Sequence, residues 1–303
     1  MSQVIGVGAE GTVYEEGMVL QPTRWAQRHY RLYLLMRTPS ALVGLFILLV
    51  LLVAAAIGTR LAPYDPYYQN FMLELVPPSH AHLFGTDEYG RDILSRVLYG
   101  VRSALAAGII ANGIAMIAGA FIGLIAGFYG RWIDTILMRS TDVMLAFPYL
   151  LLALIIVSIL GPGITSAVIA IGIVYAPQFA RLTRGSVLDA REHDYVDAAR
   201  ALGVSNSMMM RRHILPAVLP AVSVMATLTV GLAIVETAGL SFLGLGAQPP
   251  AADWGAMLAD GREYMLTDPW VATFPGMAIL FTALGFNLLG DALRDVLDPR
   301  LVR

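Results

Sequence analysis

Ser40-Ala-Leu-Val-Gly-Leu-Phe-Ile-Leu-Leu-Val-Leu-Leu-Val-Ala-Ala-Ala-Ile-Gly-Thr59 runs from Arg37-Thr-Pro39 to Arg60 without one ionisable side chain. At about 1.5 Å per residue, a helix over this stretch reaches about 30 Å, the depth of a bilayer's hydrocarbon layer. Lipid offers no water to backbone N–H and C=O groups, so a run of this kind must satisfy them within its own helix. The stretch predicts a membrane-spanning helix.

Five more segments read the same way. Ser103 to Tyr129 carries Gly108, Gly113, Gly119, Gly123 and Gly127 among Ala and Ile, a spacing of small residues that lets helices approach closely in lipid. The next runs from about Asp134 to Leu160 and contains Pro148, and Ile164 to Ala180 contains Pro177. Gly161-Pro-Gly163 between them has room only for a hairpin. Ile214 to Val235 begins with Pro216 and Pro220, and Trp270 to Gly290 contains Pro275. These prolines are expected to kink their helices. The fold class expected is an all-α polytopic membrane bundle of about six spans: 40–59, 103–129, 134–160, 164–180, 214–235 and 270–290. Around the 40–292 body lie a 1–39 tail, a 181–213 inner loop and a 293–303 tail. No internal repeat and no low-complexity segment stands out.

Composition supports this. Of 303 residues, 57% are hydrophobic and 14% charged, with a mean hydropathy of +0.67, whereas soluble domains carry about 25% charged residues. Little chain is left for a separate soluble domain. The net charge of -2 points to no nucleic-acid partner. There is no cysteine, hence no disulfide, thiolate metal site or cysteine nucleophile. All 20 basic residues are arginine, and without lysine there is no Walker A loop. If ATP drives this protein, another chain binds it. Met1 to Thr23 holds Glu10, Glu15 and Glu16 and lacks the basic start and apolar stretch of a signal peptide, so it reads as a mobile tail.

Arginine placement predicts orientation. With the N-terminus in the cytoplasm, fifteen arginines fall inside and only Arg60, Arg91, Arg96, Arg102 and Arg262 outside. Both termini are then cytoplasmic, and the outer loops are 60–102 and 236–269.

The span centres are nearly bare of ionisable groups, which disfavours an ion-coupled secondary carrier. All five histidines lie outside the spans, so no metal site is expected, and Gly239-Leu-Ser-Phe-Leu-Gly244 has the wrong spacing for a nucleophile elbow. A membrane-embedded hydrolase has no visible machinery. Polar positions in or beside the spans are candidate pathway or outer-mouth residues: Glu236, Asn112 and Gln178. Helix-to-helix hydrogen bonding is the competing role for the amides, and a cap or buried hydrogen bond for Glu236. Asp87, Arg91, Asp92 and Arg96 read either as a paired cluster or as a solvated loop.

The inner loop reads Arg191-Glu-His-Asp-Tyr-Val-Asp-Ala-Ala-Arg-Ala-Leu-Gly203, then Val204-Ser-Asn-Ser-Met-Met-Met-Arg-Arg-His-Ile-Leu-Pro216. Asp194 is expected to cap a short helix that Gly203 closes, and Ser205 or Asn206 a second one. Val196, Ala199 and Leu202 fall on one face of the first helix, suited to docking a partner or to lying on the membrane surface.

Asp197-Ala-Ala199, three residues, Gly203, nine residues and His213-Ile-Leu-Pro216 together resemble the EAA loop of binding-protein-dependent ABC importer permeases, with Asp for the usual Glu. Phe84-Gly-Thr-Asp-Glu-Tyr-Gly-Arg-Asp-Ile-Leu-Ser-Arg96, Leu240-Ser-Phe-Leu-Gly-Leu-Gly-Ala-Gln-Pro-Pro250 and Asn287-Leu-Leu-Gly-Asp-Ala-Leu-Arg-Asp-Val-Leu-Asp-Pro-Arg300 resemble the peptide and nickel branch. The resemblance implies a type I importer permease fold in the bacterial inner membrane. It also implies a homologous second permease, two ATPase subunits that bind ATP and magnesium, and an extracytoplasmic binding protein. This chain would bind no cofactor and catalyse nothing. Asp197, Ala198, Ala199, Gly203, His213 and Pro216 would couple it to the ATPases. The expected cargo is a dipeptide or short peptide, with nickel, glutathione or another small solute as alternatives.

Overall fold

A computed structural model describes residues 38–297 and three short strands before them: β1 (Gly6–Val7), β2 (Val13–Glu15) and β3 (Met18–Leu20). The strands pair antiparallel in the order β1-β2-β3, with Tyr14 opposite both Gly6 and Val19. Sequence reading expected only a tail here; Val13, Tyr14 and Val19 are residue types that favour strands. Arg24, Arg28, Arg31, Arg37, Arg300 and Arg303 lie outside the described residues.

From residue 38 the body is helical. Its elements are α1 (Pro39–Leu61), α2 (Ile93–Tyr129), α3 (Arg131–Leu145), α4 (Tyr149–Leu160), α5 (Ile164–Arg191), α6 (Asp194–Ala201) and α7 (Asn206–Met209). A π-turn, Met210–Ile214, leads into α8 (Leu215–Phe242), followed by α9 (Trp254–Gly261) and α10 (Trp270–Leu297). Five of these helices are long and apolar enough to cross a membrane, and α3 with α4 makes a sixth, broken span bent by 96°.

The break corrects the expectation of one continuous, merely kinked helix over 134–160. Pro148 cannot donate a backbone hydrogen bond and disfavours helical geometry at Phe147 before it. The two halves also differ in character. Arg131–Leu145 is amphipathic with Arg131, Asp134, Arg139 and Asp142, whereas Tyr149–Leu160 has no charge. Elsewhere the helices outrun the apolar stretches that announced them. Helix α2 starts at Ile93, where the Asp92 side chain accepts from Ser95 N at 2.8 Å. Its 37 residues, at about 1.5 Å each, extend well beyond the bilayer. The π-turn also has a cause. Pro216 lacks the N–H for a bond four residues back, and the preceding turn widens so that Leu215 N reaches Met210 O.

Contacts fix the directions of the helices. Gly119, Gly123 and Gly127 of α2 lie against Ala176, Ala180 and Val187 of α5, so α2 and α5 run parallel. Gly108 against Ile234, and Asn112 bonded to Ala226 O, set α8 antiparallel to α2. Gly44 against Leu289 places α10 antiparallel to α1. One end of the bundle therefore gathers Tyr129, Arg191 and α6, and the other gathers Ile93, Phe242 and Trp254.

Two apolar clusters fill it. The larger joins α2, α4, α5, α6 and α8 around Phe179, Ile171 and Val157, and the smaller joins α2, α8, α9 and α10 around Trp254 and Ile234. Most buried threonine hydroxyls return to their own helix: Thr141, Thr229, Thr237 and Thr282 each donate to the carbonyl four residues back, whereas Thr183 Oγ1 is buried without a hydrogen bond. The return bond satisfies a polar side chain where water is absent.

A Cβ added at Gly119 or Gly123 would lie 2.3 Å from a carbonyl oxygen of α5. Gly123→Leu is expected to split this contact and cost about 1–3 kcal/mol or more, read as a lower melting temperature of the detergent-solubilised protein. Gly113→Ala, with nothing within 4 Å, is expected to leave it unchanged or slightly raised.

Candidate coupling face and outer cap

Helix α6 projects from the end of the bundle that gathers Tyr129 and Arg191, the end that the arginine placement assigns to the inside. His193, not Asp194, holds the N-cap position, and its side chain makes no capping bond there. Asp194 is already helical, so its charge and that of Asp197 act on the helix dipole instead. The helix ends in a tight turn: Gly203 N donates to Arg200 O at 3.0 Å and Val204 N to Ala199 O at 3.2 Å. Gly203 has φ +77°, a conformation open to glycine at no steric cost.

Val196 and Ala199 are buried, in one cluster with Val187, Met209 and Ile214. Leu202, expected on their face, is 85% exposed, because the helix ends at Ala201 and the chain turns outward. Asp197, Ala198 and Gly203 are exposed as well. Asp197 pairs with Arg200 at 2.9 Å, an exposed ion pair of little energetic weight. The outward face is thus Asp197, Ala198, Ala201 and Leu202, small and apolar at its centre. His213 sits in the π-turn, where its carbonyl lies 3.5 Å from the Tyr195 hydroxyl, and Pro216 is exposed one turn on. Ala199, grouped with these in the sequence reading, anchors the helix from within.

Helix α5 carries α6 on its end and is also tied to α3. Arg184 grips Asp134 with two bonds, Nε to Oδ1 at 2.5 Å and Nη2 to Oδ2 at 2.6 Å. Arg191 donates to Gly127 O at 2.7 Å, and Arg181 reaches Asp142 at 2.7 Å on an exposed surface. Helix α5, which carries α6, is thus fixed to both α2 and α3.

At the opposite end the 62–92 connection packs against α9 and the start of α10. Asp87, Arg91, Asp92 and Arg96 form a buried cluster, not a solvated loop. Asp87 accepts from Arg91 Nε at 2.6 Å and lies 3.5 Å from Arg96 Nε. Arg96, 2% exposed, donates to Pro66 O and, at 3.4 Å, to Ala251 O. Asp92 holds His82 at 2.9 Å while capping α2. The indoles of Trp254 and Trp270 donate to Val97 O and Thr86 O. At Gly90, φ +68°, an added Cβ would fall 1.9 Å from Asn70 O, so only glycine fits the turn.

Glu88 and Asp260 belong to this cap and went unmarked in the sequence reading. The run Asp87-Glu88 beside Arg91 was a signal for the first; Asp260 lies far along the chain and had none. Glu88 Oε1 accepts from Arg91 Nη2 at 3.2 Å, while Oε2 is buried without a partner. Burial, then the neighbouring Asp87 charge, push the Glu88 carboxyl up to about 7. Partial desolvation of its carboxyl raises Asp260 too, although the residue is exposed overall.

Of the polar positions in the spans, Asn112 is buried and donates to Ala226 O at 3.0 Å, joining α2 to α8. Glu236 and Gln178 are half-buried, and among the described residues neither has a hydrogen bond or ion pair.

This architecture is that of a type I importer permease. It resembles the methionine ABC transporter MetNI in inward-facing conformations, with TM-score 0.54 at 19% identity over 67% of this chain and 97% of that one. Residues 119–303 match the family described as binding-protein-dependent transport system inner membrane component, and the chain belongs to that family. Residues 29–78 match the N-terminal transmembrane domain of oligopeptide transport permease C. Among curated relatives, the dipeptide transport permease DppC of Alkalihalophilus pseudofirmus is 46% identical, covering 88% of each chain. The glutathione transport permease GsiD of Pectobacterium atrosepticum is 46% identical over 85% of this chain and 86% of its own. The probable D,D-dipeptide transport permease DdpC of Escherichia coli is 43% identical over 88% and 90%.

Between pH about 4.5 and about 7 the folded protein keeps on Glu88 a proton that the unfolded chain releases, so stability falls as pH rises through this window. Thermal melts from pH 5 to 8 should show this slope in the wild type and a shallower one in Glu88→Gln. For the inner tie, Arg184→Asp should lower the melting temperature and the exchange Arg184→Asp with Asp134→Arg should restore part of the loss, as a direct pair requires.

Proposed function

We propose that this permease is one half of the translocation pathway of an ATP-driven importer of dipeptides or short peptides, lying in the bacterial inner membrane with both termini in the cytoplasm. A homologous second permease encloses the pathway with it, two ATPase subunits bind ATP and magnesium, and an extracytoplasmic binding protein supplies the peptide. This chain binds no cofactor of its own. The observation that carries the reading is α6: a short helix anchored by Val196 and Ala199, with Ala198 and Leu202 presented outward. Its centre is small enough to let a groove of an ATPase close around it. Pull on α6 passes through α5 and the Arg184–Asp134 tie to α3, which shifts the bundle between inward and outward openings as a rigid-body change. Asp197, Gly203, His213 and Pro216 shape the coupling loop. Glu236 and Gln178, half-buried and without a hydrogen bond or ion pair among the described residues, are the pathway residues, and Asn112 holds α2 to α8.

Peptide cargo is supported by the two dipeptide-permease relatives. Glutathione is the second reading, since the relative named for it is as similar as the first of these.

Ala198→Trp is expected to leave melting temperature unchanged and to cut recovery of ATPases, co-purified through a tag on this chain, at least tenfold. Ala199→Trp is expected to lower both. If the wild type retains no ATPase, the importer reading fails. Uptake of labelled dipeptide against labelled glutathione by the whole assembly separates the two cargoes.

A further inference from the structure

The outer cap holds a cavity of about 330 Å³ between the 62–92 connection, the start of α2, the end of α8, the 244–251 loop and α9. That is the lower end of the roughly 300–1,000 Å³ range of small-molecule sites, too small for a folded partner. Arg91 lines it, with its side chain 5% exposed and a Tyr89 ring stacked 4.4 Å from its guanidinium carbon. Two of its nitrogens are spent, Nε on Asp87 and Nη2 on Glu88; Nη1 has no acceptor among the described residues. The Arg96 guanidinium donates to Pro66 O and Ala251 O, while its Nε, 3.5 Å from Asp87, is buried without a hydrogen bond, so it contributes chiefly charge. Asp260 also lines the cavity, within electrostatic reach of Arg91, is exposed, and makes no hydrogen bond or ion pair among the described residues. Gln69 and Gln248 offer amides, and Phe242 and Pro250 are apolar walls.

A simple anion would meet Asp260, and a simple cation would meet Arg91 and Arg96. A molecule with a carboxylate at one end, an ammonium at the other and an amide between them satisfies all of these groups. We propose that this cavity is an outer peptide site, in which Arg91 Nη1 receives the C-terminal carboxylate and Asp260 the N-terminal ammonium of a dipeptide. The proposal rests on the peptide reading above, and it gives the permease its own contact with cargo outside the membrane.

Glu88 makes the site sensitive to pH. It bonds the guanidinium that the carboxylate must also use, and it sits in reach of Asp87 and Arg91 in its own loop, Arg96 of α2, and Asp260 of α9. Glu74, Glu263 and Tyr264 lie around the same cluster. When Glu88 takes a proton, near pH 7, Arg91 keeps more of its charge for the ligand. Affinity for the carboxylate therefore rises from pH 8 to pH 6.5.

The test is calorimetric binding to the assembled transporter in nanodiscs, without its binding protein. The ligands are alanyl-alanine, its C-terminal amide and N-acetyl-alanyl-alanine. Alanyl-alanine should saturate, with the other two at least tenfold weaker. Asp260→Asn should weaken alanyl-alanine at least tenfold and leave the acetylated form unchanged. Glu88→Gln should bind at pH 8 as the wild type does at pH 6.5. Melting temperatures check that both variants are folded. Absence of saturable binding, equal affinity for the three ligands, or a wild-type pH response retained in Glu88→Gln overturns the proposal. Uptake with the binding protein present keeps the two readings apart. If alanyl-alanine is imported but does not bind here, only the outer site falls; if it is not imported, the peptide reading falls.

Discussion

Helices α2 and α5 meet backbone to backbone along Gly119, Gly123 and Gly127, and the rest of the molecule is arranged around that contact. In lipid no hydrophobic force draws one apolar helix to another, so attraction comes from close packing, which small residues permit. The parallel pairing brings the ends of both helices to one side. Arg191 can then reach Gly127 O, and Arg184 can reach Asp134 just past the turn out of α2. Helix α6 leaves directly from α5, so its position is set by the most tightly packed pair in the bundle.

The two ends of the bundle are built by different physics. The inner end is held by apolar anchors under an exposed helix and by ion pairs that span two elements. The outer end is held by buried charges whose donors are almost all assigned. Burying charge is costly unless each group is paired, and here Asp87 alone takes bonds from Arg91 Nε and the backbone of Tyr89 and Arg91. The remainder is one Glu88 oxygen and Arg96 Nε, both buried without a hydrogen bond, and Arg91 Nη1; Arg91 and Arg96 both line the cavity of about 330 Å³. A well-satisfied network with its few open valences gathered in one place differs from a scaffold serving stability alone.

Much of the site was legible because it depends on local chemistry. Asp197-Ala-Ala199 and Gly203 announced a short helix and a turn, and both are present. The capping residue was misplaced by one, since Asp194 and His193 compete for a position decided by where the preceding helix ends. Leu202 was assigned to the buried face by helical periodicity, which fails once the helix stops before it. For Asp87, Arg91, Asp92 and Arg96 the sequence left pairing and solvation equally open. Burial decides between them, and burial depends on α9 and α10 arriving more than 150 residues later.

The sequence by itself determined that the chain crosses a membrane as a bundle of about six helices, and that the segment between the fourth and fifth of these carries a short helix. Those properties follow from the length and spacing of apolar runs, which physics reads locally. Only the tertiary structure decided that Pro148 breaks a span by 96° and that Ala199 faces inward. It alone brings Glu88 and Asp260 around one guanidinium. Each depends on which helices become neighbours, and that is settled by the mutual fit of surfaces distant in sequence.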